Sequence, residues 1–122
     1  MKSNTLKIVI NRPAAEVFEF TTNPANTDKW FADTGKERTD EWPVKLGTHY
    51  INDYGTLTVS EFEPGKLFTL TKPGKFFVRY VYKNLACGTE LTYYEESLDD
   101  DLDSITDMTP FNKLKELMES GK

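Results

Sequence analysis

His49 is the only histidine in the chain, with Asp53 four residues later. Glu61 falls on the strand expected beside it, so a histidine and carboxylate pair could take up a proton as a general base. No motif places a Ser or Cys nucleophile next to it, and the competing reading is a plain surface histidine. Asp99, Asp101 and Asp103 imitate the first three alternate ligands of an EF-hand loop. The imitation ends at Ser104, where that loop needs a glycine, and at Pro110, where it needs a bidentate glutamate. The run therefore reads as a solvated acidic loop. Cys87 precedes Gly88 at a turn with only Lys83 as a nearby base, so nothing marks its thiol as activated. One histidine and one cysteine are too few for a metal site. No catalytic residue, metal or cofactor is expected.

The tyrosines sit in a different pattern. In each expected strand, one of the two alternating sets is the more apolar, and pleat alternation aims that set inward. This selects Leu57 and Val59, Phe68 and Leu70, Phe76, Val78, Tyr80 and Tyr82, and Leu91 and Tyr93. Such residues either fill a core or wall a pocket, in which tyrosine hydroxyls would orient a ligand. Arg79 interrupts the same run, and alternation sends it to the face opposite Tyr80, toward a surface salt bridge. A register one residue off would make it an anion anchor inside.

The elements that must position these residues follow from local signals. Leu6 to Ile10 alternates as a strand with one buried face. Pro13 suits a helix's first turn, with Ala14, Val17, Phe18 and Thr21 on one face. Asn23-Pro24 stops that helix, and Pro24 can open a second short one ending near Trp30. From Lys36 to about Glu96 the pattern is β throughout. Strands are expected over Lys36 to Glu41, Thr48 to Asn52, Gly55 to Phe62, Lys66 to Thr71, Phe76 to Lys83 and Glu90 to Glu96. Turns fall at Trp42-Pro43, Asp53-Tyr54-Gly55, Pro64-Gly65, Pro73-Gly74 and Cys87-Gly88. That spacing leaves room for hairpins only, so the sheet is antiparallel. At the end, Thr109 can cap a helix with Pro110 in its first turn and Gly121 after it. Phe111, Leu114, Leu117 and Met118 form its apolar stripe.

Taken in order, these segments resemble the START-like, helix-grip superfamily, also called SRPBCC, of polyketide cyclases, lipid carriers and plant allergens. The segments that carry the resemblance are Leu6-Lys7-Ile8-Val9-Ile10, the helix after Asn11-Arg12-Pro13, Asn23-Pro24 to Trp30, Glu61-Phe62-Glu63-Pro64-Gly65-Lys66-Leu67, Gly88-Thr89-Glu90-Leu91-Thr92 and the final helix. The resemblance implies an α+β helix-grip fold. A curved antiparallel sheet of six or seven strands would wrap around the C-terminal helix, with two short helices after the first strand and a cavity between sheet and helix. It also implies that the helices and loops near Trp30, Phe31 and Trp42 form the cavity entrance, with Trp30 and Phe31 as gate residues. The final helix is short for the group, which implies a small or partly closed cavity.

The ligand-binding residues expected on this basis are Trp30, Tyr50, Leu57, Val59, Phe68, Leu70, Val78, Tyr80, Tyr82, Leu91, Tyr93, Phe111, Leu114 and Met118. The partner expected is a small hydrophobic molecule, lipid-like or polyketide-like. Two rivals stand beside it: a cyclase or dehydrase acting on such a molecule, and a protein-interaction domain of the chaperone ATPase activator type with a filled core.

Composition narrows the classes further. At 122 residues the chain is expected to be one domain, and its 8 Phe, 6 Tyr and 2 Trp supply an aromatic-rich core. A net charge of −5 with no Lys/Arg cluster argues against nucleic acid. No apolar stretch approaches the roughly 18 to 20 residues of a membrane span, and Met1-Lys2-Ser3-Asn4 opens no secretory segment. A cytoplasmic location is expected, and a lone cysteine fits a reducing compartment.

Overall fold

The computed structural model describes residues 2–23, 26, 29–30, 38–41, 44–52, 55–86, 88–97 and 108–120. Seven strands and two helices make up this part: β1 (Lys2–Ile10), α1 (Ala14–Thr22), β2 (Arg38–Thr39), β3 (His49–Asn52), β4 (Gly55–Glu63), β5 (Leu67–Lys72), β6 (Phe76–Leu85), β7 (Gly88–Ser97) and α2 (Thr109–Ser120). The strands form one sheet in the order β1-β7-β6-β5-β4-β3-β2. Every neighbouring pair is antiparallel. This is the α+β helix-grip arrangement, with a curved open sheet gripping a C-terminal helix.

The meander from β2 to β7 is local, because tight turns return each strand beside the last. At Pro64-Gly65 and Pro73-Gly74, proline fixes the first turn residue and glycine supplies the left-handed backbone, with φ of 77° at Gly65 and 76° at Gly74. The one distant pairing is β1 with β7, where Leu6 faces Tyr93 and Ile8 faces Leu91. Its hinge is crowded: a Cβ added at Gly88 would lie 2.3 Å from the carbonyl oxygen of Ile10.

Helix α1 begins one residue after Pro13, whose carbonyl accepts from the N–H groups of Glu16 and Val17. It buries Ala14, Val17, Phe18 and Thr21, the face expected from spacing. The second short helix lies largely outside the described residues; Asn26, Lys29 and Trp30 have helical backbone. Helix α2 starts at Thr109 itself, so Thr109 is its first helical residue where the sequence predicted a cap. The helix buries Phe111, Leu114 and Met118 against the sheet. Three polar ties hold its C-terminal half. Lys115 donates to the Val9 carbonyl at 2.6 Å, Arg12 Nε donates to the Met118 carbonyl at 2.9 Å, and the Asn11 N–H donates to Glu119 at 2.8 Å. The first of these occupies backbone on an edge strand that would otherwise be open to pairing. No helix among the described residues is long and apolar enough to cross a membrane.

Candidate functional site

The polar pairs expected on the sheet have different partners from those the sequence suggested. His49 Nδ1 lies 2.8 Å from Asp40 Oδ2, and the His49 N–H donates to Asp40 Oδ1 at 2.9 Å. Asp53 lies outside the described residues, and Glu61 is engaged elsewhere. The side chains of both His49 and Asp40 are 46% exposed, and they clasp β3 to the bend after β2. The hydrogen bond from His49 holds the Asp40 carboxyl below its ordinary range. His49 is thus a turn clasp at the sheet edge, and the proposed pairing with Glu61 is corrected. Glu61 accepts from Thr69 and from Arg79, each at 2.8 Å. The Thr69 bond first, and the guanidinium after it, keep the Glu61 carboxyl below its usual value. Arg79 stands on the outer face, as alternation required, over the Phe77 ring at 5.4 Å. Among the described residues, no group of three His, Cys, Asp or Glu side chains comes together to hold a metal. Phe31, Trp42, Cys87 and the Asp99, Asp101 and Asp103 run lie outside the described residues.

The inner face is built from rings. Phe18 on α1 meets Phe62 at 5.6 Å, Phe68 at 6.2 Å and Tyr82 at 5.1 Å. From Phe68 the contacts run to Tyr80 at 6.0 Å, on to Tyr93 at 5.2 Å and then to Phe111 at 4.8 Å. Trp30 packs on Phe111 at 5.4 Å, and Tyr50 on Phe68 at 5.6 Å. These rings occupy the space between the sheet and α2. Of the fourteen residues expected to line a pocket, Val78 is partly buried and the other thirteen are buried in this one cluster. The structure brings them together.

Several tyrosine hydroxyls in the cluster are joined to protein groups. Tyr82 and Thr21 share a 2.6 Å hydrogen bond, and Tyr50 donates to the Thr22 carbonyl. Both bonds tie α1 to the sheet. Burial pushes the Tyr82 phenol well above its ordinary value, only partly offset by Thr21. Tyr93 donates to Glu95 Oε1 at 3.0 Å, and Asn4 Nδ2 donates to Glu95 Oε2 at 3.1 Å. Sequence reading missed Glu95. The signal was present, because the alternation that aimed Leu91 and Tyr93 inward aims Glu95 inward two residues later.

Two clefts open on the cluster's margins. One, of about 320 Å³, lies between α1 and the β4–β5 turn, walled by Ala15, Phe18, Val44, Phe62 and Pro64, with Glu19 and Thr22 as polar members. The other, of about 360 Å³, lies between the β1–α1 and β6–β7 connections and is lined by Asn11, Arg12, Asn84 and Gly88 among others. Sequence reading named neither cleft. The first meets the aromatic core directly through Phe18 and Phe62.

No protein-family model matches the chain, and no curated protein matches it. Solved structures do match. A Staphylococcus saprophyticus protein, SSP2350, aligns at TM-score 0.75 and 19% identity over 98% of this chain and 93% of its own. NE0264 from Nitrosomonas europaea aligns at TM-score 0.76 and 17% identity, over 98% and 96%. DynU16, described as a protein in the dynemicin biosynthetic locus, aligns at TM-score 0.75 and 18% identity over 100% of this chain. This chain spans 49% of DynU16's length. These likenesses show the fold. At such identities they carry over no residue role, so the site rests on the geometry above.

Proposed function

We propose that this chain is a START-like, SRPBCC-type domain that binds a small apolar molecule, lipid-like or polyketide-like, taken in through the cleft between α1 and the β4–β5 turn. The observation that carries this reading is that cleft. Its volume, about 320 Å³, lies within the range of roughly 300 to 1,000 Å³ usual for small-molecule sites, and its walls are mostly apolar. Phe18 and Phe62 serve both as wall and as core. A ligand seated there rests on Phe18 and Phe62, which pack in turn on Phe68 and Tyr82, two of the fourteen inward residues. The locus of DynU16 is in keeping with this class of molecule. The reading takes the chain as one cytoplasmic domain with no catalytic residue.

Titration with N-phenyl-1-naphthylamine, an uncharged apolar fluorophore, tests the reading. Binding in the micromolar to millimolar range should shift the backbone NMR signals of Ala15, Phe18 and Phe62 together. Ala15 is exposed on α1, so Ala15→Phe fills the cleft without touching the core and should weaken binding by about tenfold, the equivalent of roughly 1.4 kcal/mol. Shifts confined to outer-face residues such as Phe77 and Val81, or no binding, would overturn the reading. Because the rings already fill the space under α2, such a result would favour the interaction-domain alternative.

A further inference from the structure

Among the described residues, two polar side chains line the cleft between α1 and the β4–β5 turn, those of Glu19 and Thr22, and both stand in the last turn of the helix. Glu19 is exposed, and its carboxylate is the one charged group of the described lining. Thr22, at 3% exposure, gives its hydroxyl proton to the Phe18 carbonyl at 2.8 Å, so its side chain offers the cleft an oxygen. Both side chains are therefore acceptors.

The surroundings carry the same sign. The C-terminal end of a helix bears partial negative charge, which favours a cation nearby, and the last turn of α1 holds no basic residue. Phe18 and Phe62 line the cleft together, 5.6 Å apart, and aromatic rings attract a cation through their quadrupole. The neighbouring lysines do not cancel this. Lys45 pairs with Glu41 at 3.7 Å, and Lys66 is exposed and outside the cleft wall. A ligand with a carboxylate head would meet like charge and no donating side chain, whereas a ligand with an ammonium head would find an acceptor, a ring and a helix end of matching sign.

We infer that the cleft selects an amphiphilic organic cation: an apolar body seated on Phe18 and Phe62, with a protonated amine held by the Glu19 carboxylate and the Thr22 hydroxyl oxygen. This rests on the proposed binding of an apolar molecule in the same cleft and adds its class. Because Glu19 is solvated, its part is to discriminate between ligands of like shape, while the apolar walls supply most of the affinity.

Three naphthalenes of matched body test this at neutral pH: 2-naphthylmethylamine, which is protonated there, 2-naphthalenemethanol and 2-naphthoate, with affinities measured by calorimetry. The native chain should prefer the ammonium over the alcohol by about fivefold at low ionic strength, as expected for an exposed ion pair with a ring contact, and bind the naphthoate most weakly. The preference should shrink as salt is added. Glu19→Gln should bring the ammonium and the alcohol to within about twofold, the remainder owed to the rings, leave the alcohol unchanged and improve the naphthoate. Glu90→Gln, which removes the same charge from the outer face of β7, should keep the full preference. Equal binding of ammonium and alcohol by the native chain overturns this inference alone, as does a preference that survives in Glu19→Gln or falls equally in Glu90→Gln. If none of the three compounds binds, or if Ala15→Phe leaves the alcohol's affinity untouched, the proposed function falls and this inference with it.

Discussion

Strand β7 carries the same arrangement twice, once on each face. On the inner face Tyr93 donates to Glu95, and one residue along, on the outer face, Tyr94 donates to Glu96. The residue types and spacing are identical, yet the surroundings differ. Tyr94 packs on Phe77 at 5.8 Å beside Arg79, within reach of water, whereas Tyr93 lies buried between Tyr80 and Phe111. Outside, water and salt can replace any partner, so the pair adds little. Inside, each polar atom must find a partner in the protein or in what it binds. Burial decides what a tyrosine and glutamate pair can do.

The largest test of this contrast lies at α2. Leu114, fully buried, should cost about 2 to 5 kcal/mol on truncation to alanine, whereas Lys113→Ala on the exposed side should stay within about 0.5 kcal/mol. Denaturant melts measure both, and equal effects would mean that α2 does not dock on the inner face. Lys115, although on the polar side by periodicity, is a poor control because it bonds the Val9 carbonyl.

Alkaline titration sharpens the contrast at the next level. Tyr82 inside and Tyr94 outside both have phenols raised above the ordinary value of 10.0, the first chiefly by burial and the second chiefly by its hydrogen bond to Glu96. A phenol whose folded value is raised contributes stability that is fully present below pH 10.0 and is lost as pH climbs from there toward the folded value. Stability should therefore fall above pH 10.0, and Tyr82→Phe should flatten that fall. Tyrosinate absorbance gives the finer reading: added salt should move Tyr94 back toward its ordinary value and leave Tyr82 in place. A common salt response would erase the distinction.

The smallest effect belongs to the outer ion pair. Arg79 and Glu61 are 38% and 41% exposed, so Arg79→Ala should cost only about 0.2 to 1 kcal/mol, less at high salt. A larger, salt-insensitive loss in thermal melts would show that the outer face is shielded in solution.

Strand order, hairpin turns and inward residues were legible because they depend on local rules: pleat period, proline and glycine chemistry, and spacing too short for crossovers. Leu57, Phe68, Tyr80 and Leu91 fell on the correct face for that reason. Contacts between distant segments were not legible. The partner of His49 is set by how β2 meets β3, which puts Asp40 in reach and leaves Glu61 to Arg79. The link between Arg12 and Met118 depends on where α2 lands. Glu95 was legible in principle, but a charged residue on an apolar face was passed over because hydrophobicity, rather than position, selected the inward set. The clefts could not be read from alternation, since they lie where α1 and the turns meet the sheet.

Strand β4 holds one further consequence. Its pairing with β5 slips between Val59 and Glu61, so Ser60 and Glu61 both face outward and Phe62 returns to the interior. In the language of waves, Ser60 is a half-period phase slip: the pattern of inward residues before it is out of step with the pattern after it. Loss of a residue from a turn merely shortens a connection. Loss of Ser60 would cancel the slip and leave Val59 inward, Glu61 outward and Phe62 inward in plain alternation, whereas loss of Thr58 would throw Leu57 and Val59 onto opposite faces. A deletion of the exposed serine would thus be absorbed by the strand, and one of the threonine two residues earlier would be felt in the core.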